Sequence, residues 1–305
     1  MAALKEKRTC GQRCEDFGRF VWNSDNGTSF GRTPEKWVYI SLYYAAFYVV
    51  MTGLFSLAIW TLMYTLDPYT PDYQDRLPSP GVMVWPDKYD EEHIVITYNS
   101  SDKASWSKMS SCLHNFLGQY NDTLQKDCDH NCTKGKYFMQ DKFLPGTHTK
   151  ESCSFSVSQL GNCSGLHDPT FGYNSDMPCV IIKMNRIINY RPSQNNTQDI
   201  QVNCTVLEGV ENVKKIEYFP ENALMDRSYF PYYGKLAQPD YLNPLVAVRI
   251  SLTGKRSAKF QCRVVADKIT YENIHDPYEG KVVFTLQNLH VPSKPSSVHH
   301  HSSAL

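Results

Sequence analysis

The sequence predicts a single transmembrane helix followed by a mainly-β ectodomain, an immunoglobulin-like antiparallel β-sandwich carrying one helix. Three observations predict it. Trp37 to Leu66 is a run of 30 residues without Asp, Glu, Lys, Arg or His. Eight of the ten cysteines, and six of seven Asn-x-Ser/Thr sequons, lie after that run. Beyond it, short β-rich segments recur between turn residues, several with one apolar and one polar face. Acidic and basic side chains balance at 31 each, so net charge offers nothing to a nucleic acid.

The apolar run exceeds the roughly 20 residues that a helix needs to cross a bilayer core. A cleaved secretory signal has a shorter apolar region, ending in small residues, and Thr65, Leu66 and Asp67 do not supply that end. A buried core helix would need neighbours around Trp37, Tyr39, Phe47, Phe55 and Trp60 on every side. A retained anchor over 37–66, in contact with membrane lipid, is therefore expected. Lys5, Lys7, Arg8, Arg13, Arg19, Arg32 and Lys36 precede it, whereas Arg76 stands alone between Asp67 and Pro86. Basic residues resist translocation, which puts the N-terminus in the cytoplasm.

On that topology residues 1–36 form a cytoplasmic tail, with at most one helical turn around Glu15 to Phe20, and Cys10 and Cys14 as free thiols. No further histidine or cysteine completes a metal site with them. Everything after the anchor matures in an oxidising lumen, where disulfides persist. Asn99, Asn121, Asn131, Asn162, Asn195 and Asn203 fall there as glycan acceptors, and Asn26 on the inner side is expected to stay bare.

Residues 67–90 are expected to form an extended stalk, because Pro68, Pro71, Pro78, Pro80 and Pro86 fix φ and remove donors. Within the ectodomain of residues 91–289, Trp106, Met109, Leu113, Phe116, Leu117 and Tyr120 recur at helical spacing and predict a helix from Asp102 to Tyr120. Strands are predicted at His93–Tyr98, Cys179–Tyr190, Ile200–Val206, Leu245–Leu252, Phe260–Ile269 and Lys281–Leu286. Alternation is clearest where Phe260, Cys262, Val264 and Ala266 interleave with Lys259, Gln261, Arg263 and Asp267. Residues 290–305, with His299 to His301, have little to bury and read as a disordered tail.

Several motifs in order along the chain resemble one family. They are Trp22-Asn23 and Gly31-Arg32-Thr33 before the anchor, Tyr44-Ala45-Ala46-Phe47-Tyr48 within it, and Tyr73-Gln74-Asp75-Arg76 with Pro80-Gly81 after it. The most specific are L-G-N-C-S-G-L at Leu160–Leu166 and Y-F-P-Y-Y-G-K at Tyr229–Lys235. Together they resemble the beta subunit of the potassium-counter-transporting P-type ATPases, the Na,K-ATPase and H,K-ATPase family. The opening residues and D-P-Y-T-P-D-Y-Q-D from Asp67 are most like its gastric H,K-ATPase branch, and the opening also resembles the glial-type Na,K-ATPase isoform. One departure stands out: Phe20 occupies the place of the tyrosine in the gastric-type internalisation pattern.

The resemblance implies a non-catalytic subunit that stabilises a catalytic alpha subunit, escorts it to the plasma membrane and tunes potassium occlusion. It implies no cofactor. It places disulfides at Cys132–Cys153, Cys163–Cys179 and Cys204–Cys262, leaving Cys112 and Cys128 either as a fourth bridge or as free thiols. It also implies that the ridge of Tyr44, Phe47 and Tyr48, continued by Met51 and Phe55, lies against an alpha helix; an interfacial aromatic belt is the alternative. Tyr229, Phe230, Pro231, Tyr232, Tyr233 and Gly234 form either a rigid contact patch supporting the ectodomain's cover over the alpha subunit or packed core.

Rival readings are weaker. Zinc at Cys128, Asp129, His130 and Cys132 competes with disulfide formation and with the sequon at Asn131. A type II Golgi glycosyltransferase shares the layout of tail, anchor, stalk and luminal domain, but its D-x-D signature rests only on Asp127-Cys128-Asp129 and its fold needs helices alternating with strands. Cell adhesion through the sandwich is compatible with the subunit reading. The chain shows no P-loop, H-E-x-x-H or G-x-S-x-G.

Overall fold

The computed structural model describes residues 10–74, 76–90, 93–121, 123, 125, 132–141, 149–194, 199–253 and 257–289. They divide into two compact units, 1–66 and 67–305.

In the first unit, α1 spans Cys10–Val21, β1 Trp22–Asn23, β2 Thr28–Ser29 and α2 Pro34–Thr65. The expected single turn is thus a 12-residue helix. Cys10, Cys14, Phe17 and Val21 fall at i, i+4, i+7 and i+11, an apolar stripe that the two glycines had obscured. Arg19 pairs with Glu15 at 3.0 Å on the opposite side. The helix end is fixed from outside: the Val21 carbonyl accepts from Phe30 N at 3.1 Å and from Ser29 Oγ at 3.2 Å.

Pro34 opens α2, where its missing N–H would have no intrahelical partner in any case. At 32 residues, α2 is about 48 Å long, well over the hydrocarbon thickness of about 30 Å. It buries none of its side chains. In water, an apolar helix exposed all round would be untenable; in lipid it is ordinary.

The ectodomain strands are β3 Val82–Trp85, β4 Tyr89–Asp90, β5 His93–Tyr98, β6 Cys179–Met184, β7 Ile200–Glu208, β8 Val213–Phe219, β9 Leu224–Met225, β10 Leu245–Leu252, β11 Ser257–Val265 and β12 Lys281–Asn288, with helix α3 at Lys103–Leu117. One sheet runs β3-β6-β10-β8 and the other β4-β5-β12-β11-β7-β9. The ectodomain is therefore mainly β with two principal sheets. The first sheet is antiparallel throughout; the second corrects the antiparallel expectation, because β5 pairs parallel to β12 with Ile94 opposite Phe284.

Residues of both sheets enter one buried core, with Val84, Ile182 and Val248 from one and Ile96, Phe260 and Phe284 from the other. Phe260 and Phe284 stack at 5.4 Å across β11 and β12. The alternation expected around them is present, with Phe260, Cys262, Val264 and Ala266 buried. Asp102 caps α3 by accepting from Ala104 N at 2.9 Å, and Phe116 on its inner face stacks on Trp85 of β3 at 4.7 Å.

Several boundaries move. The strand expected to reach Tyr190 stops at Met184, where its neighbour β3 begins with Val82 paired to Met184. The strand expected to reach Ile269 stops at Val265; past it, Asp267 turns to accept from Ser193 Oγ at 2.7 Å. The stalk ends earlier than residue 90, since Val82 and Val84 are fully buried in the four-stranded sheet.

Strand β8 closes one edge of that sheet and carries Glu217 opposite Arg249 of β10. Lys215 at 2.7 Å and Arg249 at 2.6 Å both donate to the Glu217 carboxylate, and these hydrogen bonds hold it below the usual carboxylate range. A depressed pKa contributes stability above the unfolded-state value of about 4.3 and loses it as pH falls through the folded value. Glu217→Gln is expected to flatten the acid limb of stability slightly, since a partly exposed pair is screened by water. Thermal midpoints measured from pH 6 down to pH 3 check this; an unchanged acid limb would count against it.

Candidate functional site

On α2, the aromatic residues named from sequence form a continuous face. Tyr44 and Tyr48 stack at 6.2 Å, Phe47 meets Tyr48 edge-on at 5.6 Å, and Tyr43 joins them by stacking on Phe47 at 6.4 Å. Turns of 3.6 residues place these i, i+3 and i+4 side chains one above another. All are exposed, Tyr48 by 63%. The face offers flat area for packing and three phenol hydroxyls, of Tyr43, Tyr44 and Tyr48, that, in lipid, have no water to bond.

The block Tyr229 to Gly234 is placed differently from a contact patch. Tyr229, Phe230, Tyr232 and Tyr233 are each at most 8% exposed, so they have little area left for a partner. Packing holds the block from every side. Phe230 O accepts from Phe138 N at 2.9 Å, Tyr232 O from Asn189 N at 2.8 Å and Tyr229 O from Tyr241 Oη at 2.8 Å. Tyr233 N donates to Gln238 Oε1 at 2.7 Å, and Tyr233 Oη accepts from Gln140 N at 2.9 Å. Burial pushes the Tyr241 phenol well up. Arg186 lies over the Tyr232 and Tyr241 rings at 5.4 and 5.1 Å, its Nε donating to Asn243 Oδ1. Gly234 adopts φ +100, a conformation that side chains rarely take. Pro231 is buried with them. Of the two readings open from sequence, this burial accords with packed core.

Gln238 and Asn243, 2% and 3% exposed, are the residues that sequence reasoning missed. Gln238 satisfies Tyr233 N inside the block and Asn243 satisfies Met184 O at the end of β6, and an isolated Gln or Asn in a loop carries no signal of that role.

The three bridges implied by the resemblance are present as Cys132–Cys153, Cys163–Cys179 and Cys204–Cys262. Cys132 is thereby unavailable to zinc. Cys112 is a half-buried free thiol, pushed up by burial and by the Asp87 carboxylate. Cys128 and the Asp127-Cys128-Asp129 and Cys128–Asn131 readings lie outside the described residues, as do the sequon at Asn195 and the tail 290–305. Asn121, Asn162 and Asn203 are exposed and Asn99 is half-buried. Asn99 and Asn121 sit in turns in which their Oδ1 accepts from Ser101 N and Thr123 N.

Together these features define a class: a chain with, among the described residues, one membrane-length apolar helix, an exposed aromatic face on that helix, and a disulfide-bonded β-rich ectodomain. The chain belongs to the sodium/potassium ATPase beta chain family, whose model matches residues 7–284. It is 52% identical over 289 residues to the potassium-transporting ATPase subunit beta of Canis lupus familiaris, covering 94% of this chain and 99% of that protein. Identity to the human protein of that name is 50% over 291 residues, with the same coverage. The sodium/potassium-transporting ATPase subunit beta-2 of Ochotona curzoniae is 38% identical over 289 residues, again across 94% and 99%. Members of this family are accessory subunits whose partner is the catalytic alpha subunit of a P-type ATPase, so the chain is not itself an enzyme. The glycosyltransferase reading is set aside.

Proposed function

We propose that the chain is the beta subunit of a potassium-transporting P-type ATPase of the H,K type, holding its alpha subunit through the aromatic face of α2. That face carries the proposal: Tyr44, Phe47 and Tyr48 pack on one another and on Tyr43 of the same helix, and α2 buries none of its side chains among the described residues. Helices in lipid gain nothing by hiding apolar area, so association rests on shape and on interhelical hydrogen bonds, which stacked tyrosines supply. Identity of 50–52% to potassium-transporting beta subunits, against 38% for the sodium/potassium beta-2 chain, favours the H,K branch.

The finer topology belongs to the same proposal. The basic flank puts the N-terminus in the cytoplasm of a plasma-membrane protein, with the surface-placed sequons glycosylated outside. The ectodomain is read as an immunoglobulin-like sandwich, supported by the core that its two sheets share. It departs from antibody domains in that Cys204–Cys262 joins neighbouring strands of one sheet, where those domains bridge two. Assembly, export and tuning of potassium occlusion follow from an ectodomain held over the alpha subunit by a rigid interior.

Replacing Tyr44 and Tyr48 with leucine keeps the helix apolar and removes both hydroxyls. At about 0.7 kcal/mol for each interhelical hydrogen bond, association with the alpha subunit is expected to weaken roughly tenfold. Co-purification in mild detergent measures it, with glycosylation as the check on insertion. Full recovery of alpha by an inserted variant would remove this face from the interface.

A further inference from the structure

Helix α1 has no part in the roles assigned above, yet its surface carries an apolar stripe and a charged side. At about 100° per residue, Phe17, Val21, Cys10 and Cys14 fall within an arc of roughly 60°, with Arg13 and then Phe20 beyond its Phe17 edge. Glu15, Asp16 and Arg19 occupy the other side, Glu15 and Arg19 in an ion pair. Cys10, Cys14, Phe17 and Phe20 are all exposed, Phe17 by 66%. An apolar face of this kind on a free helix calls for a cover.

The cover is indicated by how α1 is tied to α2. Val21 O accepts from the residues of β2 and its turn, and Ser29 O accepts from Trp37 Nε1 at 2.9 Å. Phe30 meets Phe20 at 6.0 Å and Trp37 at 6.3 Å, both edge-on. Trp37 is the first residue of the uncharged run, so the C-terminal end of α1 is bonded to the point where α2 enters the bilayer. Cys14 lies seven residues back, about 10 Å along the helix.

We propose that Cys10 and Cys14 are S-acylation sites, whose fatty chains insert beside Phe17 into the bilayer that α2 spans. The donor class is a long-chain acyl-coenzyme A. Each cysteine sulfur bonds the acyl carbon as the carbon–sulfur bond to coenzyme A breaks, and the displaced coenzyme A thiol takes the proton, with no redox change. Two thioesters on one face of a helix next to a membrane span form a stable anchor, where one chain alone would be reversible. The proposal rests on the cytoplasmic placement of the N-terminus.

The test uses full-length chain in membranes of cells that express it. Free thiols, Cys112 included, are blocked; neutral hydroxylamine then cleaves thioesters, and each newly freed thiol receives a polyethylene-glycol maleimide. Two hydroxylamine-dependent gel shifts are expected for the native sequence, one for Cys10→Ser or Cys14→Ser, and none for the double variant. Absence of a shift in the native sequence, or its persistence in the double variant, overturns the proposal; so does a shift by a reducing agent alone that exceeds the one the three ectodomain bridges give in the double variant, which would mean a Cys10–Cys14 disulfide. Glycosidase treatment reads topology separately. A glycan on Asn26 sinks the orientation and the acylation with it, whereas a bare Asn26 without shifts sinks the acylation alone.

Discussion

Chains carrying Cys204→Ser or Cys262→Ser are expected to remain in the endoplasmic reticulum with immature glycans and to reach the surface at under a tenth of the native level, on the order of the population shift that a loss of several kcal/mol produces. The two cysteines face each other in register on β7 and β11, 58 residues apart in sequence. Closing a loop of that length removes denatured-state entropy worth about 4 kcal/mol, a large part of the roughly 5–15 kcal/mol that holds a domain folded. Cys262 is fully buried, so serine also leaves a hydroxyl inside the core beneath the Phe260–Phe284 stack. A Cys204→Ala, Cys262→Ala double variant removes the bridge without that hydroxyl, and is expected to fail nearly as badly. The Cys163–Cys179 bridge spans 16 residues and is worth about 3 kcal/mol on the same reasoning. Pulse-chase with endoglycosidase H measures all three, and normal maturation of the double variant would show that pairing of β7 with β11 needs no covalent help.

What could be read from residues alone was whatever their local pattern had to express. The uncharged run became α2, the stripe from Trp106 to Leu117 became α3 with its expected end at Tyr120 tightened into a 3-10 turn over Gly118–Tyr120, and β10, β11 and β12 follow apolar runs or alternation. Strand β8 escaped because V-K-K-I-E-Y-F at a sheet edge buries no residue fully, leaving the period blurred. Strand β3 was hidden among prolines, since only tertiary pairing to β6 makes four residues after Pro80-Gly81 a strand. The parallel pairing of β5 with β12 joins the two ends of the ectodomain, a contact no local window contains. The aromatic block shows the same limit in the candidate site. Its composition suits a contact patch and a core equally, and its burial depends on Gln238 and Tyr241, which arrive from later in the chain to bond its backbone. The α2 face was legible because a helix in lipid keeps its pattern without tertiary help.

The other large effect is expected from a single methyl group at Gly172. Residues 169–178 turn sharply into β6, and the turn is organised by Asp168, whose carboxylate accepts from Thr170 N at 2.9 Å, Thr170 Oγ1 at 2.6 Å and Gly172 N at 2.8 Å. It delivers Phe171 and Tyr173 into the core, both fully buried, and Cys179 N closes it by donating to Phe171 O at 2.9 Å. Gly172 sits at φ +75, and a Cβ there would stand 1.9 Å from the Met177 carbonyl oxygen. No rotamer relieves that overlap, because the obstacle is backbone. Gly172→Ala must therefore open the turn, shifting the start of β6 and the Cys163–Cys179 bridge, at a cost of about 3 kcal/mol or more. Gly135→Ala separates the causes: Gly135 has φ +77 but nothing within 4 Å of its Cβ position, so it bears only the conformational strain of about 1 kcal/mol. Thermal unfolding of the full chain is expected to show a midpoint roughly 10 °C lower for Gly172→Ala and a few degrees lower for Gly135→Ala. Equal shifts for the two would mean that the turn yields freely and that positive φ, rather than the Met177 carbonyl, is what requires glycine at position 172.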